Sequence, residues 1–107
     1  MAFYLVQASY SSQATAAMIK NPQDRAAAVR PTIERMGGKL HGLWLAFSEY
    51  DVVAIAEAPD NVSAAALAMA IGASGAMGAY RTTPLITPAE ATEAMKKAAA
   101  AGYQPPK

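Results

Sequence analysis

Two apolar runs separated by a short polar turn, in the segment KLHGLWLAFSEYDVVAIAEAPD from Lys39 to Asp60, constrain the fold of this chain more than any other feature. Each run is short, apolar and bounded by turn-forming residues, so the pair reads as two strands joined at SEYD, with a helix beginning at Pro59 and Asp60. Strict alternation puts Leu40, Gly42, Trp44 and Ala46 on one face of the first strand and His41, Leu43, Leu45 and Phe47 on the other. In the second strand Val53 and Ile55 oppose Val52, Ala54 and Ala56. Both faces are largely apolar, whereas an antiparallel sheet with one wet face alternates apolar with polar residues. Helices cover one face. The simplest cover for the other is the same face of a second copy, so a homodimer or higher homo-oligomer is expected.

The remaining elements follow from local signals. Phe3 to Ser9 reads as a first strand. Ser12 can cap a helix running to about Lys20, and Asn21 with Pro22 offers a cap and first-turn pair for a second. In that second helix Ala26, Val29, Ile33 and Met36 form one apolar stripe, Pro31 should kink or interrupt it, and Gly37 and Gly38 end it. Asp60 caps a nearly uncharged helix carrying Val62, Leu67, Met69 and Ile71, which composition predicts to be mostly buried. A last strand from about Ala79 to Ile86 contains Pro84 and therefore belongs at a sheet edge or bulge. The order strand, helix, strand, strand, helix, strand is the ferredoxin-like βαββαβ pattern, an α+β fold with a four-stranded antiparallel sheet. Thr87, Pro88 and Glu90 then start a C-terminal helix that either clasps a partner or closes an edge, and Gln104 to Lys107 form a mobile tail. This divides the chain into a core domain over residues 1–87 and a helical extension over 88–107.

Composition excludes several classes. A chain of 107 residues makes one domain, and a net charge of +1 without a basic stripe argues against nucleic acid. With no cysteine and one histidine there is neither a disulfide frame nor a structural zinc site. No apolar run approaches the roughly 20 residues of a membrane span, and the first strand leaves no room for a leader, so a cytoplasmic protein with no membrane partner is expected. Gly72, Gly75 and Gly78 follow a helix and lack the Lys and Ser or Thr of a phosphate loop, which disfavours nucleotide hydrolysis.

The chain resembles the GYD-domain proteins, small bacterial proteins named for a Gly-x-Tyr-Asp-like turn. The likeness covers roughly Phe3 to Thr87 and is carried by Asn21-Pro22-Gln23-Asp24-Arg25-Ala26, Gly37-Gly38-Lys39, Glu49-Tyr50-Asp51, Glu57-Ala58-Pro59-Asp60 and Arg81-Thr82. It implies a ferredoxin-like fold of the dimeric α/β-barrel type and no established catalytic residue. Ser48 stands where the family commonly has glycine, Met77-Gly78-Ala79 lengthens the approach to the last strand, and the alanine-rich C-terminal helix is an addition.

Each candidate for chemistry has a structural alternative. Tyr50 and Asp51 can act as acid and base, or Asp51 can cap the turn while Tyr50 packs across the hairpin. His41 is either a general base, an axial haem ligand, or an exposed residue near a strand start. Tyr4, Trp44, Phe47 and Tyr80 can wall a flat ligand or fill a core. Arg81, on a strand, is better placed than Arg25 to hold an anionic substituent, and either can instead pair with Glu49, Asp51 or Glu57. No motif names a cofactor. The expected role is binding of a small apolar or aromatic molecule in a cavity between paired sheets. The alternatives are a cofactor-independent monooxygenase, isomerase or cyclase-like enzyme using His41, Tyr50, Asp51 and Arg81, and an assembly module without ligand.

Overall fold

The computed structural model describes residues 1–107, in the order β1 (Ala2–Tyr10), α1 (Ser12–Lys20), α2 (Arg25–Arg35), β2 (Lys39–Leu45), β3 (Val52–Ala58), α3 (Asn61–Ala73), β4 (Met77–Leu85) and α4 (Pro88–Ala99). The strands form one antiparallel sheet ordered β2-β3-β1-β4. This is the expected ferredoxin-like α+β fold, with the first crossover split into two helices and a further helix at the C-terminus. Pro84 lies in the edge strand β4, where its missing N–H removes no interior ladder bond. No helix is long and apolar enough to cross a membrane.

The helix starts show how side chains compete for the same backbone groups. Ser11, one residue earlier than expected, caps α1 by accepting from the Ala14 N–H at 3.1 Å. Asn21 does not start α2, because its own N–H still donates to Ala17 O at 2.9 Å and closes α1. Asp24 caps α2 instead, its Oδ1 accepting from Ala26 at 2.9 Å and Ala27 at 3.2 Å. One helix continues through Pro31, with no break at the missing N–H.

Asp60 caps α3 as expected, accepting from the Ser63 N–H at 2.8 Å. That bond holds the Asp60 carboxyl below its ordinary value of 3.8. The folded chain therefore binds this proton less readily than the unfolded chain. The cap's contribution is complete above the ordinary value and disappears as pH falls through the lowered one. Asp60→Asn keeps a capping oxygen but removes the titration. The expected result is a shallower loss of thermal midpoint between pH 5 and pH 2.5 for the variant than for the parent, read by circular dichroism.

Contrary to expectation, α3 is not mostly buried. Leu67 and Ile71 turn toward the sheet and are half-buried, while Val62 and Met69 are 79% and 74% exposed. The helix meets the sheet along one stripe, on β4 and β3. The C-terminal helix stands further off. Its capping box is complete, with Thr87 Oγ1 accepting from the Glu90 N–H and Glu90 Oε1 accepting from the Thr87 N–H. Yet α4 makes at most slight contact with any other element, too little to close a sheet edge. The chain is accordingly elongated, 57 × 34 × 22 Å with a radius of gyration of 17.1 Å, against about 13 Å for a compact domain of this size.

One β-bulge reassigns the faces of β2. Leu40 pairs with Ala56, but Gly42 pairs with Ile55 and Leu43 with Ala54, so His41 is an extra residue. His41, Gly42 and Trp44 share the face away from the helices, while Leu40, Leu43 and Leu45 share the helix face. The alternation that grouped His41 with Leu43 and Leu45 fails at this step. Gly42 also has a packing role: a Cβ there would lie 2.5 Å from the Trp44 ring, which lies across it.

Candidate functional site

The helix side of the sheet is lined by small residues. Ala8, Ala54 and Ala56 project from the two central strands, with alanine-rich α3 facing them. The helices also stand apart, α2 leaning on β2 and α3 on β4 and β3. Alanines in the floor and a gap in the roof leave a cavity of about 250 Å³. Val29 and Ile33 of α2, Leu40 and Leu43 of β2, and Leu67 and Ile71 of α3 form much of its wall. The space opens to solvent on one side, and 16 of its 19 lining residues are hydrophobic, so an apolar body suits it better than water does. Only seven residues of the chain are buried, three of them alanine, so the cavity takes up much of the space a core would occupy.

The predicted aromatic wall is dispersed. Tyr80 lines the cavity, and burial raises its phenol above the ordinary value of 10.0, so it remains a hydrogen-bond donor at neutral pH. Tyr4 is buried on the same face but outside the cavity lining, its hydroxyl donating to Asn61 Oδ1 and tying β1 to the start of α3. Trp44 is on the opposite sheet face, and Phe47 is fully exposed in the β2–β3 turn. Arg81 is exposed on that opposite face, beside Gln7. Of the residues lining the cavity the sequence pointed to Tyr80 and Arg25, and Val29, Leu43, Leu67 and Ile71 are among those it did not. Their signal was present: a strand face of alanines opposite a helix of alanines leaves room that an apolar pattern alone does not reveal.

The open sheet face carries Phe3 and Leu5 of β1, Val53 and Ile55 of β3, and Trp44 of β2. No helix covers it. At one end of this face His41 Nε2 lies 2.6 Å from Glu57 Oε2, and the imidazole stacks on Phe3 with ring centroids 5.3 Å apart. The carboxylate fixes the imidazole's orientation, and Nδ1 makes no hydrogen bond within the chain. Glu57 pairs with neither arginine. Tyr50 and Asp51 do not join this cluster. Asp51 works on the backbone: its N–H donates to Ala8 O at 2.9 Å and its Oδ2 accepts from the Tyr10 N–H at 3.2 Å, tying the β2–β3 turn to β1. Tyr50 is half-buried, and its hydroxyl makes no hydrogen bond within the chain.

The cavity and the open face therefore lie on opposite sides of one sheet. No curated protein and no solved structure matches the chain. The family model of the GYD domain matches residues 4–95, from buried Tyr4 through every strand and both cavity-walling helices to Met95 of α4, and on that match the chain belongs to the GYD-domain family.

Proposed function

We propose that this protein binds a small apolar or aromatic molecule, one per chain, and works as a homodimer joined through its open sheet face. The occupied space is the cavity between the sheet and helices α2 and α3, not a gap between paired sheets. The observation that carries this reading is an apolar volume of about 250 Å³ at the place where a domain of this kind normally keeps its core. Tyr80 offers the occupant a phenol donor and Thr32 a hydroxyl, whereas the Ser74 hydroxyl already donates to Ile71 O and accepts from the Ala76 N–H. Pairing through the open face accounts for Leu5, Val53 and Ile55, which otherwise present an apolar strip to water.

Native mass spectrometry of gently purified protein tests both halves at once. The expected spectrum is a dimer carrying extra mass in steps of one ligand per chain. Ala54→Leu, which places a larger side chain in the cavity floor, should remove the extra mass and raise the thermal midpoint, because the side chain takes over the ligand's packing. A bare dimer in both proteins would favour the assembly role, and a monomer would remove the paired face.

The enzymatic alternative has one observation in its favour, the oriented His41–Glu57 pair. That pair is on the open face, so within one chain it has no access to a molecule in the cavity. A monooxygenase, isomerase or cyclase-like reaction using His41 would need its substrate between the paired sheets.

A further inference from the structure

We propose that the cavity's occupant is a small monocarboxylic acid, an apolar or aromatic body with one anionic head, and that Arg25 receives the head; this inference rests on the cavity reading above. Arg25 is the first residue of α2 and lines both the cavity and a shallower groove beside it formed with Met18, Ile19 and Leu45, so it stands at the cavity's rim. Its Nη1 donates to Gln23 Oε1 at 2.7 Å. The other edge of the guanidinium, Nε with Nη2, donates to nothing, and Nε is buried. A buried donor that has lost its water and found no acceptor is destabilising, and a guanidinium cannot escape by losing its proton. None of the eight acidic residues comes to its aid: the ion pairs of the chain join His41 to Glu57 and Lys96 to Glu93.

The Nε–Nη2 edge carries two parallel N–H groups, the geometry that takes both oxygens of one carboxylate, and the side chain has to turn this edge from its buried position toward the cavity to receive them. Charge and size narrow the class further. Arg25 is the one charged residue of the cavity lining, which suits a single negative charge and offers a second nothing. The volume of about 250 Å³ falls just below the roughly 300–1,000 Å³ of pockets that enclose drug-sized ligands, so the body is the size of a single substituted ring or a short branched chain.

The test is titration of 3-phenylpropanoate and, separately, 3-phenylpropanamide into the full chain, followed by backbone amide shifts in NMR. The two probes differ in charge but hardly in shape. The expected result is that the acid shifts the amides of Val29, Leu43, Leu67 and Ile71 and binds about tenfold or more tighter than the amide. Arg25→Gln should remove that preference. The comparison of acid with amide on the unaltered chain holds even if the variant folds poorly. Equal affinity for the two probes overturns the anionic head and leaves the apolar cavity standing. Shifts from neither probe, or shifts mapping to Leu5 and Ile55 on the open face, overturn the cavity reading as well.

Discussion

Leu5→Glu is expected to yield a folded monomer, and the parent protein, on the proposed pairing of open faces, a dimer. Leu5 sits in the middle of β1, between Ile55 of β3 and Thr83 of β4, at the centre of the open face. Its side chain points away from the helices, so a glutamate there is solvated in the isolated chain and disturbs no core contact. In the dimer the same glutamate is buried with no cation opposite it. An uncompensated buried charge costs about 3–5 kcal/mol, which weakens association by roughly two to three and a half orders of magnitude. Size-exclusion chromatography with light scattering at micromolar concentration reads the result directly. Leu45→Glu is the control, since the bulge at His41 turns Leu45 to the helix side, where it is 60% exposed. It should leave the dimer intact. A Leu5→Glu protein that stays dimeric with unchanged stability would show that the open face is not the interface.

Leu40→Ala should be the most damaging single truncation to the fold itself. Leu40 is 2% exposed, pairs with Ala56, packs with Ile33, and walls the cavity. Truncating a buried leucine costs about 2–5 kcal/mol, with the larger values where the surroundings cannot collapse into the space. Here collapse is blocked: the neighbours are alanines already in contact with the strand, and the removed volume joins an existing cavity. A loss of about 3 kcal/mol corresponds to a fall of roughly 12–24 °C in thermal midpoint for a domain of this size. Calorimetry of the ligand-free protein checks it. A fall of a few degrees or less would mean that α2 settles onto β2 after truncation and that the cavity is easily closed.

The elements were legible in the sequence because their signals are local. Asp60 and Thr87 announce their helices through the side-chain oxygens that cap them, and Pro84 restricts its strand to an edge. The apolar character of both sheet faces was legible as well, in Val53 and Ile55 against Val52, Ala54 and Ala56. The bulge was not. Inserting His41 as an extra residue depends on how β2 pairs with β3, and this one step moved Leu43 and Leu45 to the helix side and His41 beside Glu57. The partner of an exposed histidine 16 positions along the chain is set by register, which a one-residue slip changes completely. The expected pairing of Arg25 with Glu49, Asp51 or Glu57 fails for a related reason. A helix-surface arginine usually finds a solvated partner, but which acids come beside it depends on the fold, and this fold leaves no carboxylate there.

The sequence by itself determined an α+β domain with a sheet apolar on both sides, since hydrophobic periodicity and caps act over a few residues and survive without tertiary context. Only the tertiary structure decided where the cavity lies. Periodicity records that a residue leaves water, not what packs upon it or how tightly, and an alanine and a leucine give the same pattern while filling very different volumes. The standing-off of α2 from α3, the exposure of Met69 on an apolar helix and the isolation of α4 are all relations between elements distant in the chain. No residue carries them alone.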